Sequence, residues 1–134
     1  MGSDASASLE IMSLSPPLAV YVADAKPPFQ ELQRALTQLA AFLLKRLTGR
    51  RAATDYGPIE AARLALRECA GALAALPVPA GAAHHRAHID GAYAALSRAL
   101  AAALSRHGAA DDAMFAALEP AQRDLKAASR ILPG

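Results

Sequence analysis

With 134 residues, 54% of them hydrophobic, and a formal net charge of +2, the chain is long enough to bury one core and too weakly charged for a dedicated nucleic-acid binder. Alanine supplies more than a quarter of the residues, aromatics only 4%, and tryptophan is absent, a balance that favours helices over sheet. The lone Cys69 excludes an intrachain disulfide and any cysteine metal motif, and no apolar run reaches the ~18 residues of a membrane span, so a soluble, cytoplasmic protein is expected.

Residues 1–26 read as an N-terminal arm. Pro16 and Pro17 speak against a helix interior there, and residues 18–22 form the chain's one strand-like stretch with no sheet to join. The arm is therefore expected to be extended, laying Ile11, Leu14, Leu18, Val20 or Val22 over a groove of its own bundle or of a neighbour. Residues 27–134 read as a single domain of four helices. The first, over about 28–48, starts at Pro27 and Pro28, which suit a first turn where the missing N–H costs nothing. Its apolar stripe is Phe29, Leu32, Leu36, Leu39 and Leu43. Leu44 falls on the other side, beside Gln33 and Thr37, and needs a cover or a partner.

A second helix, over about 58–76, opens at Gly57 and Pro58. Ile59, Ala62, Leu66, Cys69, Leu73 and Leu76 recur at alternating spacings of three and four, which makes a core seam. Leu64 lies opposite that seam and joins Leu44 as an apolar residue without an assignment. The residues around Pro77 and Pro79 then stop the helix, and the short connection makes the next helix an antiparallel neighbour.

That third helix, over about 82–107, has a core stripe of Ala82, His85, Ile89, Tyr93, Leu96, Leu100, Ala103 and His107. Its back is built of small residues where a solvated helix would carry charge. Ala87, Gly91, Ala95 and Ala102 align there at spacings of four, four and seven, and small residues let a second helix axis come close. The fourth helix, over about 111–131, buries Met114, Leu118, Ala121, Leu125, Ala128 and Leu132, with a kink or restart expected near 118–120 because Pro120 removes a backbone hydrogen bond. The fold class that follows is all-α, an up-and-down four-helix bundle with an extended N-terminal arm.

Three features could carry function. The first is an interaction surface of Ala87, Gly91, Ala95, Ala102, Leu44 and Leu64, which points to a homodimer or another protein partner. The second is His84 and His88, four residues apart on one flank of the third helix and able to chelate a divalent metal, although two ligands leave a zinc site incomplete. The third is the basic run Lys45, Arg46, Arg50 and Arg51, a candidate anion-binding patch that also complements the dipole at a helix C-terminus. The neighbouring Arg86 and Asp90 read as an ordinary surface pair. No Glu-x-x-His pair of a di-iron bundle occurs, nor a hydrolase or phosphate-loop signature, so the sequence offers no catalytic residue set and requires no cofactor.

Overall fold

The computed structural model describes residues 15–48, 56–105 and 110–131. They form four helices: α1 (Pro16–Leu47), α2 (Gly57–Ala74), α3 (Ala83–Leu104) and α4 (Ala110–Ile131), with a 3-10 turn at Ala80–Ala82 leading into α3. The helices run alternately down and up. At one end Phe42 meets Tyr56 and Arg46 meets Asp111; at the other Tyr21 meets His85. The chain is thus an all-α four-helix bundle, assembled from two hairpins, α1/α2 and α3/α4, whose inner faces share one core.

The arm is the main departure from the sequence reading. Residues 16–26, expected to be extended, are the first turns of α1, and Pro27 and Pro28 sit inside that helix rather than opening it. Pro16 and Pro17 take the first-turn positions instead, and the Ser15 hydroxyl accepts a hydrogen bond from the Leu18 N–H at 3.4 Å. Pro27 and Pro28 cannot donate to the carbonyls of Ala23 and Asp24, but both of those residues are exposed, so water can serve the freed oxygens. Burial of Tyr21 and Ala25, with Leu18 packed against the core, offsets what the prolines cost. Residues 1–14 lie outside the described residues, and with them Ile11 and Leu14.

The other helices follow the periodicity closely. All six residues of the α2 seam are buried. In α4 the predicted core residues Met114, Leu118, Ala121, Leu125 and Ala128 are buried, while Leu132 lies outside the described residues. The helix does not restart at Pro120; it runs unbroken through it, and the Ala116 carbonyl that loses its donor belongs to an exposed residue. On α3 the stripe holds at Ala82, His85, Ile89, Leu96 and Ala103, with Tyr93 and Leu100 half-buried against the core and His107 outside the described residues.

The close approach of α3 and α4 has a plain cause in small side chains on both. Ala92, Ala95, Ala99 and Ala103 of α3 and Ala110, Ala117, Ala121 and Ala128 of α4 are all buried. Little side-chain volume then separates the two axes. The seam of α4 with α1 is looser than its seam with α3.

Candidate interaction face

That looser seam opens into a groove. It is lined by Leu36, Ala40, Leu43, Leu44 and Leu47 of α1 and by Phe115 and Leu118 of α4, with Thr37, Glu119 and Gln122 as its polar members, and its volume is about 600 Å³. Three of its apolar side chains stand largely in solvent: Leu44 is 63% exposed, Leu47 62% and Phe115 64%. Together they make an apolar patch of the size of the largest one on a typical monomer, which is often where function lies. Leu36, Ala40, Leu44 and Leu47 are spaced four, four and three, an apolar row on α1 that adjoins the core stripe at Leu36.

The six residues of the predicted interaction surface are not brought together. Leu44 lines the groove with Thr37. Leu64 is exposed on α2, outside the groove. The small-residue back of α3 is largely spent inside the molecule: Ala95 is buried, Ala102 packs half-buried against the core, and only Ala87 is exposed. Gly91 faces α4, where a Cβ would lie 2.6 Å from Asp124 Oδ2. The partner helix that this back accommodates is the chain's own α4.

The histidines separate as their angular positions require. His85 is buried, its Nδ1 2.7 Å from the Tyr21 hydroxyl with the two rings edge-on at 5.5 Å. Burial, and secondarily the neighbouring His88, push the His85 pKa down, while burial pushes the Tyr21 hydroxyl up. The hydrogen bond is therefore one between a neutral imidazole and a neutral phenol, with the donor set by the histidine tautomer. His84 and His88 stack edge-on at 4.8 Å on the outer flank, and His88 Nδ1 donates to Asp124 Oδ1 at 2.9 Å. A carboxylate on one ring nitrogen is how metal-bound histidines are commonly oriented, leaving Nε2 for the ion. Among the described residues, however, no group of three potential ligands converges.

The basic run is divided as well. Arg46 Nε lies 3.0 Å from Asp111 Oδ1, a close ion pair in which the N–H is not aligned for a hydrogen bond, and the guanidinium also covers the Phe42 ring at 5.7 Å. Lys45 has a partner of its own, and Arg50 and Arg51 lie outside the described residues. The Arg86–Asp90 pair forms at 2.9 Å but is more than a surface pair. Arg86 is largely buried and donates to the carbonyl of Leu73 at 3.1 Å, which also accepts from the Leu76 N–H at 3.2 Å, and to that of Leu76 at 3.4 Å, at the end of α2 where the helical ladder runs out. Cys69 lies buried in the seam, where burial first and the Glu31 charge next push its thiol up to about 12, so it remains a protonated apolar side chain.

Among the described residues no helix is long and apolar enough to cross a membrane. Neither a protein-family model, nor a characterised protein, nor a solved structure matches the chain.

Proposed function

We propose that this chain is a non-enzymatic helical bundle that works through protein contacts, in the first place by pairing with a second copy of itself in the cytoplasm. The observation that carries the reading is the cluster of Leu44, Leu47 and Phe115 around the α1/α4 groove. Their exposed parts amount to on the order of 350 Å² of apolar surface per copy. Two copies would hide up to about twice that from these residues, which places the pair at the small, weak end of specific interfaces. Sedimentation equilibrium of the full chain over roughly 1–100 µM, a range in which a weak pair of micromolar affinity is populated, tests the reading. A dimer that becomes monomeric in Leu44→Asp/Leu47→Asp, with unchanged helical circular dichroism, and that persists in Leu64→Asp, supports it. A wild type that stays monomeric throughout, or a dimer indifferent to the first pair of changes, overturns it.

A second reading is a divalent metal held by His84 and His88. The contact that favours it is the Asp124 carboxylate on His88 Nδ1. Calorimetric titration with zinc, nickel and copper decides it: binding heat present in the wild type and lost in His84→Ala/His88→Ala supports the reading, and equal heats end it.

A further inference from the structure

The groove also constrains how a second copy sits. Segments of this chain near the groove are poor occupants. The apolar residues of 9–14 join α1 through Ser15, and Leu36, the groove residue nearest to it along α1, lies 21 residues further on, about 31 Å at ~1.5 Å per residue. Leu9 is six residues from Ser15 and reaches about 20 Å fully extended. Residues 49–55, which follow the groove end of α1, contain no Leu, Ile, Val or Phe. Leu132 follows Ile131, at the opposite end of α4 from Phe115. An occupant that fits an i, i+4 row on a helix is itself a helix, and the same surface that provides the groove also provides the protruding Leu44 and Leu47. Knobs and hole on one patch are what a two-fold, self-complementary interface needs.

We infer, on the self-association reading above, that the second copy packs as an antiparallel α1–α1 pair whose two-fold axis passes Ala40. Leu36, Ala40 and Leu44 form one row of the i, i+4 kind, large, small, large, and Ala40 is exposed at its centre. A two-fold axis at Ala40 sets Leu36 of one copy against Leu44 of the other and Ala40 against itself, where the axes come closest. Each large side chain then meets a large one across the pair, and the small one allows the approach. The charges agree with this direction. A parallel pair would set Arg34, Lys45 and Arg46 each beside its own copy, three like-charge approaches, whereas the antiparallel pair sets Arg46 near Arg34, twice by symmetry, and places Lys45 opposite Ala35. Both of these arginines are already matched within their own copy, Arg34 by Glu31 at 2.7 Å and Arg46 by Asp111 at 3.0 Å.

Single introduced cysteines read the geometry, because Cys69 is buried and its thiol is held protonated. With a short bis-maleimide, Ala40→Cys on the full chain gives a covalent dimer, an equimolar mixture of Leu36→Cys and Leu44→Cys gives the mixed product, and Lys45→Cys alone gives little. Placing Leu47→Asp in the Ala40→Cys chain abolishes the cross-link. Efficient self-linking of Lys45→Cys with none from Ala40→Cys overturns the antiparallel arrangement in favour of a parallel one. A dimer by sedimentation that links at none of these positions overturns the geometry and leaves self-association standing. A wild type that is monomeric by sedimentation removes both.

Discussion

The Tyr21 hydroxyl and His85 Nδ1 lie 2.7 Å apart between two buried side chains, joining α1 to α3 across 64 residues of sequence. This bond secures the first turns of α1 to the bundle, upstream of the two prolines that weaken the helix. Because each partner is buried, removing one leaves the other without its hydrogen bond. Tyr21→Phe should therefore destabilise the chain by about 1–3 kcal/mol, and His85→Leu by a comparable amount. The double change Tyr21→Phe/His85→Leu should cost clearly less than the sum, since no polar group is then stranded. Urea unfolding of the four proteins measures the coupling; strictly additive losses would show that the two side chains do not depend on each other.

The same histidine gives the fold a pH dependence of definite sign. Burial, with His88 as a lesser influence, holds the pKa of His85 below its ordinary value. Between that lowered value and about 6.5, the unfolded chain binds a proton that the folded chain refuses. The stability tied to His85 is thus fully present above pH ~6.5 and is lost as the pH falls below it, at no more than about 1.4 kcal/mol per pH unit for one proton. Denaturant midpoints between pH 5 and 8 should fall more steeply towards acid in the wild type than in His85→Leu. Parallel curves for the two proteins would show that His85 takes its proton as readily folded as unfolded.

Periodicity made the parts of this fold that depend on a single helix legible. The α2 seam from Ile59 to Leu76 could be read directly, because a repeat of three and four records which side of a helix is buried. The start of α1 could not, because the local signal of Pro16, Pro17, Pro27 and Pro28 argues for interruption, while the contacts that sustain the helix come from α3 and from the core. The α1/α4 groove was half legible for a related reason. Leu44 stood out as an apolar residue on a polar side of its helix, but Phe115 completes the groove from more than sixty residues away and gave no such sign. With α3 the projection correctly marked the small residues, yet a projection shows that a close neighbour is allowed without saying whose helix it is.

Gly91 shows that neighbour's grip most directly. A Cβ added there would lie 2.6 Å from Asp124 Oδ2 and 3.2 Å from Asp124 Cγ, and the carboxylate is not free to swing away because its other oxygen accepts from His88 at 2.9 Å. Gly71, in the interior of α2, has nothing within 4 Å of the same added atom. Both glycines are helical, so alanine at either would gain about 0.5–1 kcal/mol from helix propensity alone. Gly71→Ala should realise that gain. Gly91→Ala should instead lower stability, because the Asp124–His88 bond has to break or α4 has to move outward. In an Asp124→Ala background the obstruction is gone, and Gly91→Ala should become stabilising by about the same 0.5–1 kcal/mol. Thermal and urea unfolding of these variants would settle it: a stabilising Gly91→Ala in the otherwise unchanged chain would mean that α4 does not bear on this face of α3 as closely as the 2.6 Å approach requires.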